Sequence, residues 1–191
     1  MSDRLDRQMA FLSEADRLKG VLRASRIGDG TRRENSAEHS WHLALYALIL
    51  SEHAETEVDR DRVIRMLLIH DLVEIDAGDA PIFAGAPDPG LAEKEEAAAK
   101  RIFGLLPPDQ AEEALALWLE FEAAESADAR FAKSLDRFQP PNQNLANGGG
   151  TWVEYGVTHA LFLEKVAPKI NRAAPALWDW LAPRVAAFFA R

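Results

Sequence analysis

The sequence predicts an all-α, single-domain helical bundle of about seven to eight helices. Three observations predict it. Apolar residues recur near a 3.6-residue spacing in nearly every long segment. No stretch alternates convincingly as a strand, and no linker, repeat or low-complexity tract divides the 191 residues. That length suits one domain, 1–191, with a core of its own.

The elements follow in order. A first helix is expected over about Asp3 to Leu22, with Phe11, Leu12, Leu18, Val21 and Leu22 inward. The two glycines of RIGDGTRRENS end it and leave a basic loop. Asn35, with Glu38 three residues on, has the form of a capping box, so a second helix starts there and reaches about His53. Asp59 can start a third, carrying MLLIHDLVEIDAGDAP (66–81) as far as about Asp76. AGDAPIFAGAPDPG (77–90) holds too much Gly and Pro for a helix and is a loop of functional length. Helices return over about 91–105, 108–125 and 128–138. QPPNQNLANGGG (139–150) is expected to be a second loop, mobile or tightly turning. The last helices, about Thr151 to Ala167 and Pro175 to Ala190, pack on the preceding ones.

Composition excludes several functions. There is no cysteine, so disulfides and thiolate metal sites are ruled out, and any metal must be held by His, Asp or Glu. The net charge of −9 argues against a nucleic acid polymer as partner, whereas a small phosphorylated substrate needs only a cation or two placed locally. MSDRLDRQMA is charged and lacks a signal-peptide core, and no apolar run approaches the ~20 residues of a membrane span. A cytoplasmic protein without membrane association is the expectation.

The histidines are unevenly placed. His39 falls in the first turn of the second helix, His70 and Asp71 on the third, and Asp136 beside the inward stripe of Phe131, Leu135 and Phe138. Two imidazoles and two carboxylates from three helices suit one divalent first-row transition metal such as Mn, Fe, Co or Ni. The bland reading makes His39 a cap, His70 a satisfied core histidine and Asp71 a solvated one. It pairs Asp136 with Arg130, Lys133 or Arg137 on its own helix. His42 suits a packing role, His53 an exposed one and His159 a structural one.

The ordered set ENSAEHS, HDLVEIDAGDAP and AKSLDRF, spanning about Leu18 to Phe138, resembles the HD-domain metal-dependent phosphohydrolases, in particular the 5′-deoxynucleotidase (YfbR/HDDC-like) branch. The resemblance implies metal ligation by His39, His70, Asp71 and Asp136. It also implies hydrolysis of a nucleoside 5′-monophosphate or similar phosphomonoester. No histidine lies between Asp71 and Asp136, which favours a single ion over the two-metal members. Glu74, on the helix face of His70 and Asp71, and Asp79 of the GDAP turn are the catalytic candidates for proton transfer. Arg23 falls near the substrate-binding arginine of the relatives, with Arg26 as its rival. The relatives carry tryptophan after that arginine where this chain has Ala24, which leaves deoxy preference open. The Asn142–Trp152 segment offers a lid, substrate amides or a mere connector. The alternative to an enzyme is a non-catalytic HD-fold nucleotide-binding protein. HD-like oxygenases need two irons and more ligands than are present. Relatives are commonly homodimers, and Trp178, Trp180, Leu181, Val185, Phe188 and Phe189 of the last helix offer material for an interface or for intramolecular packing.

Overall fold

A computed structural model describes residues 2–85 and 89–191. Residues 86–88 of the expected long loop therefore lie outside the described residues. Helix α1 (Ser2–Ala15) passes through a 3-10 turn (Asp16–Gly20) into two short strands, β1 (Leu22–Arg26) and β2 (Arg33–Asn35). Then come α2 (Ser36–Leu50) and α3 (Arg60–Ile69). A further 3-10 turn (His70–Val73) leads into the single-turn α4 (Glu74–Ala77). Across the loop follow α5 (Leu91–Phe103), α6 (Pro108–Ala123) and α7 (Ala127–Ala146). The chain ends with α8 (Thr151–Glu154), α9 (His159–Lys165), α10 (Ala167–Asn171) and α11 (Pro175–Phe189).

Helix α7 lies at the centre and packs against α2, α3, α6, α10 and α11. Its Phe131 and Leu135 meet Leu43 of α2, Met66 and Leu67 of α3, and Leu181 of α11 in the main core. A smaller core joins Leu18, Leu72, Ile102, Phe103 and Trp118 under α1. The expected capping box is present: Asn35 accepts from the Glu38 amide, and the Glu38 carboxylate accepts from the Asn35 amide. Asp59 likewise caps α3 through the Arg62 amide.

Three expectations are corrected. The first helix ends at Ala15, and the segment expected to be a basic loop is an antiparallel hairpin, Leu22 opposite Asn35 and Arg26 opposite Arg33. Its pattern is inverted: Leu22 is 62% exposed while Arg23 and Ser25 are buried, so the polar face points inward and no apolar alternation marks the strand. Second, α7 continues through the predicted 139–150 loop as far as Ala146 despite Pro140 and Pro141. Each proline removes an amide that would bond the carbonyl four residues back. Burial of Gln139, Pro141, Gln143 and Asn144 compensates, and beyond the prolines the Asn142 side chain donates from Nδ2 to the Phe138 carbonyl. Third, the helix expected over 151–167 breaks after α8, where Gly156 adopts φ +58°, and Thr158 caps a new start at α9.

The NGGG segment is a packed turn, settling its conformation in favour of the tight alternative. Gly148, Gly149 and Gly150 all have positive φ (77°, 114° and 41°). A Cβ on Gly149 would fall 2.6 Å from Phe188 Cζ and 2.7 Å from Val153 Cγ2, whereas one on Gly148 would meet nothing within 4 Å. Gly148→Ala is expected to cost about 1 kcal/mol for its left-handed backbone. Gly149→Ala adds overpacking, for a total of roughly 2–4 kcal/mol. Thermal denaturation of the two variants should rank them in that order; equal midpoints would contradict the close approach to Phe188.

Candidate metal centre

Three elements converge on one polar cluster. His39 comes from the first turn of α2, His70 and Asp71 from the 3-10 turn after α3, and Asp136 from the middle of α7. Ligand atoms of His39, His70 and Asp136 lie within 4.8 Å of one another. His39 Nε2 is 3.0 Å from Asp136 Oδ1. His70 Nε2 is 3.0 Å from Asp71 Oδ1 and 3.9 Å from Asp136 Oδ1. The tautomer of His70 follows from its other nitrogen: Nδ1 is 2.8 Å from the Leu67 carbonyl, which can only accept, so Nδ1 carries the hydrogen. In the neutral ring Nε2 then presents a lone pair, and that atom is buried with no hydrogen-bond partner. A buried lone pair facing two carboxylate oxygens is the arrangement a cation satisfies, and this donor set suits a divalent ion.

The tightening of α3 into a 3-10 turn places the His-Asp pair, and the Trp118 indole donates to the freed His70 carbonyl at 3.2 Å. The pair lies largely buried here, not on an exposed shoulder of the helix. Asp71 is bound on its other oxygen by Arg23, Nη1 to Oδ2 2.7 Å. The same Nη1 is 3.7 Å from Glu74 and 3.8 Å from Asp79. Gly78, at φ +78°, turns the chain so that Asp79 Oδ2 accepts from the Ala24 amide at 3.0 Å. The alternative arginine, Arg26, is outside this cluster and pairs with Glu154. Asp76 is paired with Arg101. Other nearby cations are taken elsewhere: Arg62 pairs with Glu120, Arg65 with Glu113 and Lys133 with Glu122. Arg32 and Arg33 serve the hairpin, bonding Glu38 and the Ala24 carbonyl.

Sequence reasoning missed Glu34. Only 2% exposed, it lies behind both cations, with Oε2 3.5 Å from His39 Nδ1 and 3.8 Å from Arg23 Nε. Gln139 and Gln143 donate to its Oε1 at 3.0 and 2.6 Å. The signal available was its place in ENSAEHS, five residues before His39, but with β2 unrecognised nothing marked it as inward. Ser36 was also missed; its hydroxyl donates to Glu74 Oε2.

Burial and neighbours set the protonation states. Burial, then the Asp71 charge, push Glu74 up to about 8. Burial and Arg23 work against a proton on His39, but Asp136 and Glu34 outweigh them and raise it to about 9. Burial also opposes ionisation of Asp71 and Asp136, yet both are held below the usual carboxylate range, Asp71 by His70 and Arg23, and Asp136 by Arg137 and the two histidines. Beside the cluster opens a narrow cleft of about 70 Å³, lined by Arg23, Ala24, Asp79, Phe83, Arg137 and Tyr155 among others. Asn144 and Thr151, at the two ends of the glycine turn, also line it.

Comparison with known proteins agrees with this architecture. The HD domain family matches residues 15–178. The human 5′-deoxynucleotidase HDDC2 is 32% identical over 130 residues, covering 68% of this chain. The match spans 62% of that relative's own length. The crystal structure of a predicted metal-dependent phosphohydrolase from Magnetospirillum magnetotacticum MS-1 superposes with a TM-score of 0.90 at 49% identity, covering 97% of this chain and 95% of that one. A conserved hypothetical protein from Pyrococcus furiosus shares the fold at TM-score 0.58 and 22% identity, covering 93% and 99%. The chain belongs to the HD-domain family.

The metal-free protein should become less stable as pH rises. A folded-state value raised above the ordinary one contributes stability that is complete below the ordinary value and lost as pH climbs through the raised one. For Glu74 that window runs from 4.5 to about 8, and for His39 from 6.5 to about 9. The thermal midpoint in chelator is therefore expected to fall between about pH 5 and 9, and Glu74→Gln should flatten the lower part of that fall. A midpoint that rises over this range would contradict the assignment.

Proposed function

We propose that this protein is a metal-dependent phosphomonoesterase acting on a nucleoside 5′-monophosphate or a similar small phosphorylated substrate. The observation that carries the reading is the buried, unpartnered Nε2 of His70, facing carboxylate oxygens of Asp71 and Asp136, which in turn contact Arg23 and Arg137 of the neighbouring cleft wall. His39, His70, Asp71 and Asp136 would hold one divalent ion of the Mn, Fe, Co or Ni type. When bound, such an ion supplies an acidified water and positive charge opposite the phosphate.

The chain's own residues account for the rest. Hydrolysis forms a bond from water oxygen to phosphorus, breaks the ester bond and delivers a proton to the leaving oxygen. Glu74 suits that proton transfer: Ser36 engages Oε2, Oε1 remains 3.7 Å from Arg23, and the group keeps a proton near neutral pH. Arg23 offers its guanidinium to the phosphate oxygens. Asp79, tied to the Ala24 amide through Oδ2, keeps Oδ1 toward Arg23 and the cleft, where it orients the arginine or takes a substrate hydroxyl. Ala24, small and in the cleft wall, puts no bulk against the sugar, so ribo- and deoxyribonucleotides are expected to react at comparable rates.

A cytoplasmic location and a homodimer belong to the same reading. The dimer is supported by exposed Trp41, Leu45 and Ile49 on α2 beside Trp180 of α11. A single-copy mass by light scattering would argue against it.

Phosphate release from a panel of ribo- and deoxyribonucleoside monophosphates, with each metal added to chelator-treated protein, tests the activity. Glu74→Gln should lower kcat by about a hundred- to ten-thousandfold with metal content intact. Asp136→Ala should lose the metal itself, read by elemental analysis. Nucleotide binding without phosphate release under any metal would assign the chain to the non-catalytic alternative.

A further inference from the structure

We propose that the cleft continues into a second anion subsite, formed by Arg137, Lys165 and Lys169, that takes a second phosphate group on the same ligand. This deepens the phosphomonoesterase reading and rests on it for what occupies the metal end.

The geometry supplies continuity. The cleft beside the metal cluster and an adjoining open groove share Ala80, Pro81, Ile82 and Arg137, so a ligand can pass from one to the other along a common wall. Beyond Arg137 the groove is lined by Lys165 of α9 and Lys169 of α10, with Glu164 as its acidic member among the described residues. Arg23 lines the cleft, Lys165 and Lys169 line the groove, and Arg137 stands at the junction with Pro81 and Ile82.

The charge pattern is unusual for this chain. It carries 31 acidic against 22 basic residues, and many of its surface cations are tied to a carboxylate, as in Arg101 with Asp76, Lys100 with Glu96 and Lys133 with Glu122. Lys165 and Lys169 have no ion pair among the described residues. Arg137 has only Asp136, Nε to Oδ2 at 3.6 Å, whose other oxygen already faces His39. The cluster also strains its own protons: burial and the Arg137 charge depress Lys169, and Lys133 and Lys165 add to the repulsion. Like charges held together without partners raise the free energy of the empty groove, and an anion relieves it. Three cations less the charge of Glu164 leave about +2, opposite to one phosphate dianion, and the guanidinium fork can grip two of its oxygens.

Titration calorimetry on the metal-loaded full chain tests the subsite with deoxyadenosine 5′-monophosphate and deoxyadenosine 3′,5′-bisphosphate. The bisphosphate is expected to bind about tenfold or more tightly, and Lys165→Ala/Lys169→Ala should erase that advantage while changing monophosphate binding by less than about twofold. Raising the salt should shrink the advantage in the parent protein. Equal affinities, binding of neither nucleotide, or an advantage that survives both substitutions would overturn the subsite. A lysine-dependent bisphosphate advantage without hydrolysis of either nucleotide would uphold the subsite and reject the esterase reading.

Discussion

The structure depends on the crowding of carboxylates in a place with little water. Glu34, Asp71, Glu74 and Asp79 gather around the Arg23 guanidinium, and Asp136 beside them meets two imidazoles and the Arg137 guanidinium. So many negative charges cannot all ionise unopposed in a dry interior. The protein meets the constraint in several ways. Arg23 clamps Asp71, Glu34 is shared between two glutamine amides, and Glu74 retains a proton against a serine hydroxyl. What remains is an excess of negative charge beside an unused imidazole lone pair, which is the electrostatic description of a cation site.

The same constraint explains why the backbone departs from simple helices where it does. The hairpin is short and carries its polar residues inward because Arg23 and Glu34 must reach the cluster from the same side. Helix α3 tightens into a 3-10 turn so that two consecutive residues contribute to one point. Helix α7 tolerates two prolines because stopping at Phe138 would remove Gln139 and Gln143, the amides that hold Glu34.

Legibility of the sequence follows this division. Helices with ordinary apolar stripes and caps were legible, and the structure brings His39, His70 and Asp136 of the ordered set together from distant positions. The hairpin was invisible because its buried face is Arg and Ser while its exposed face is Leu22. The extension of α7 was hidden by local rules that treat Pro-Pro and Asn-rich text as a breaker, although tertiary hydrogen bonds override them. Glu34 was lost with the strand that carries it. Arg23 was distinguishable from Arg26 only by which side of that strand it occupies.

The Phe188–Gly149 contact has a mechanical meaning. The ring of the last helix sits on the glycine turn, the turn is stitched by Asn144 to Thr151, and those two residues form cleft wall. The final helix is therefore a keystone for the cleft, although it contributes no residue to the His39–His70–Asp136 cluster. Fraying from the C-terminus would slacken the cleft before disturbing His39, His70 or Asp136, so the molecule has a built-in order in which the cleft wall fails ahead of the buried cluster.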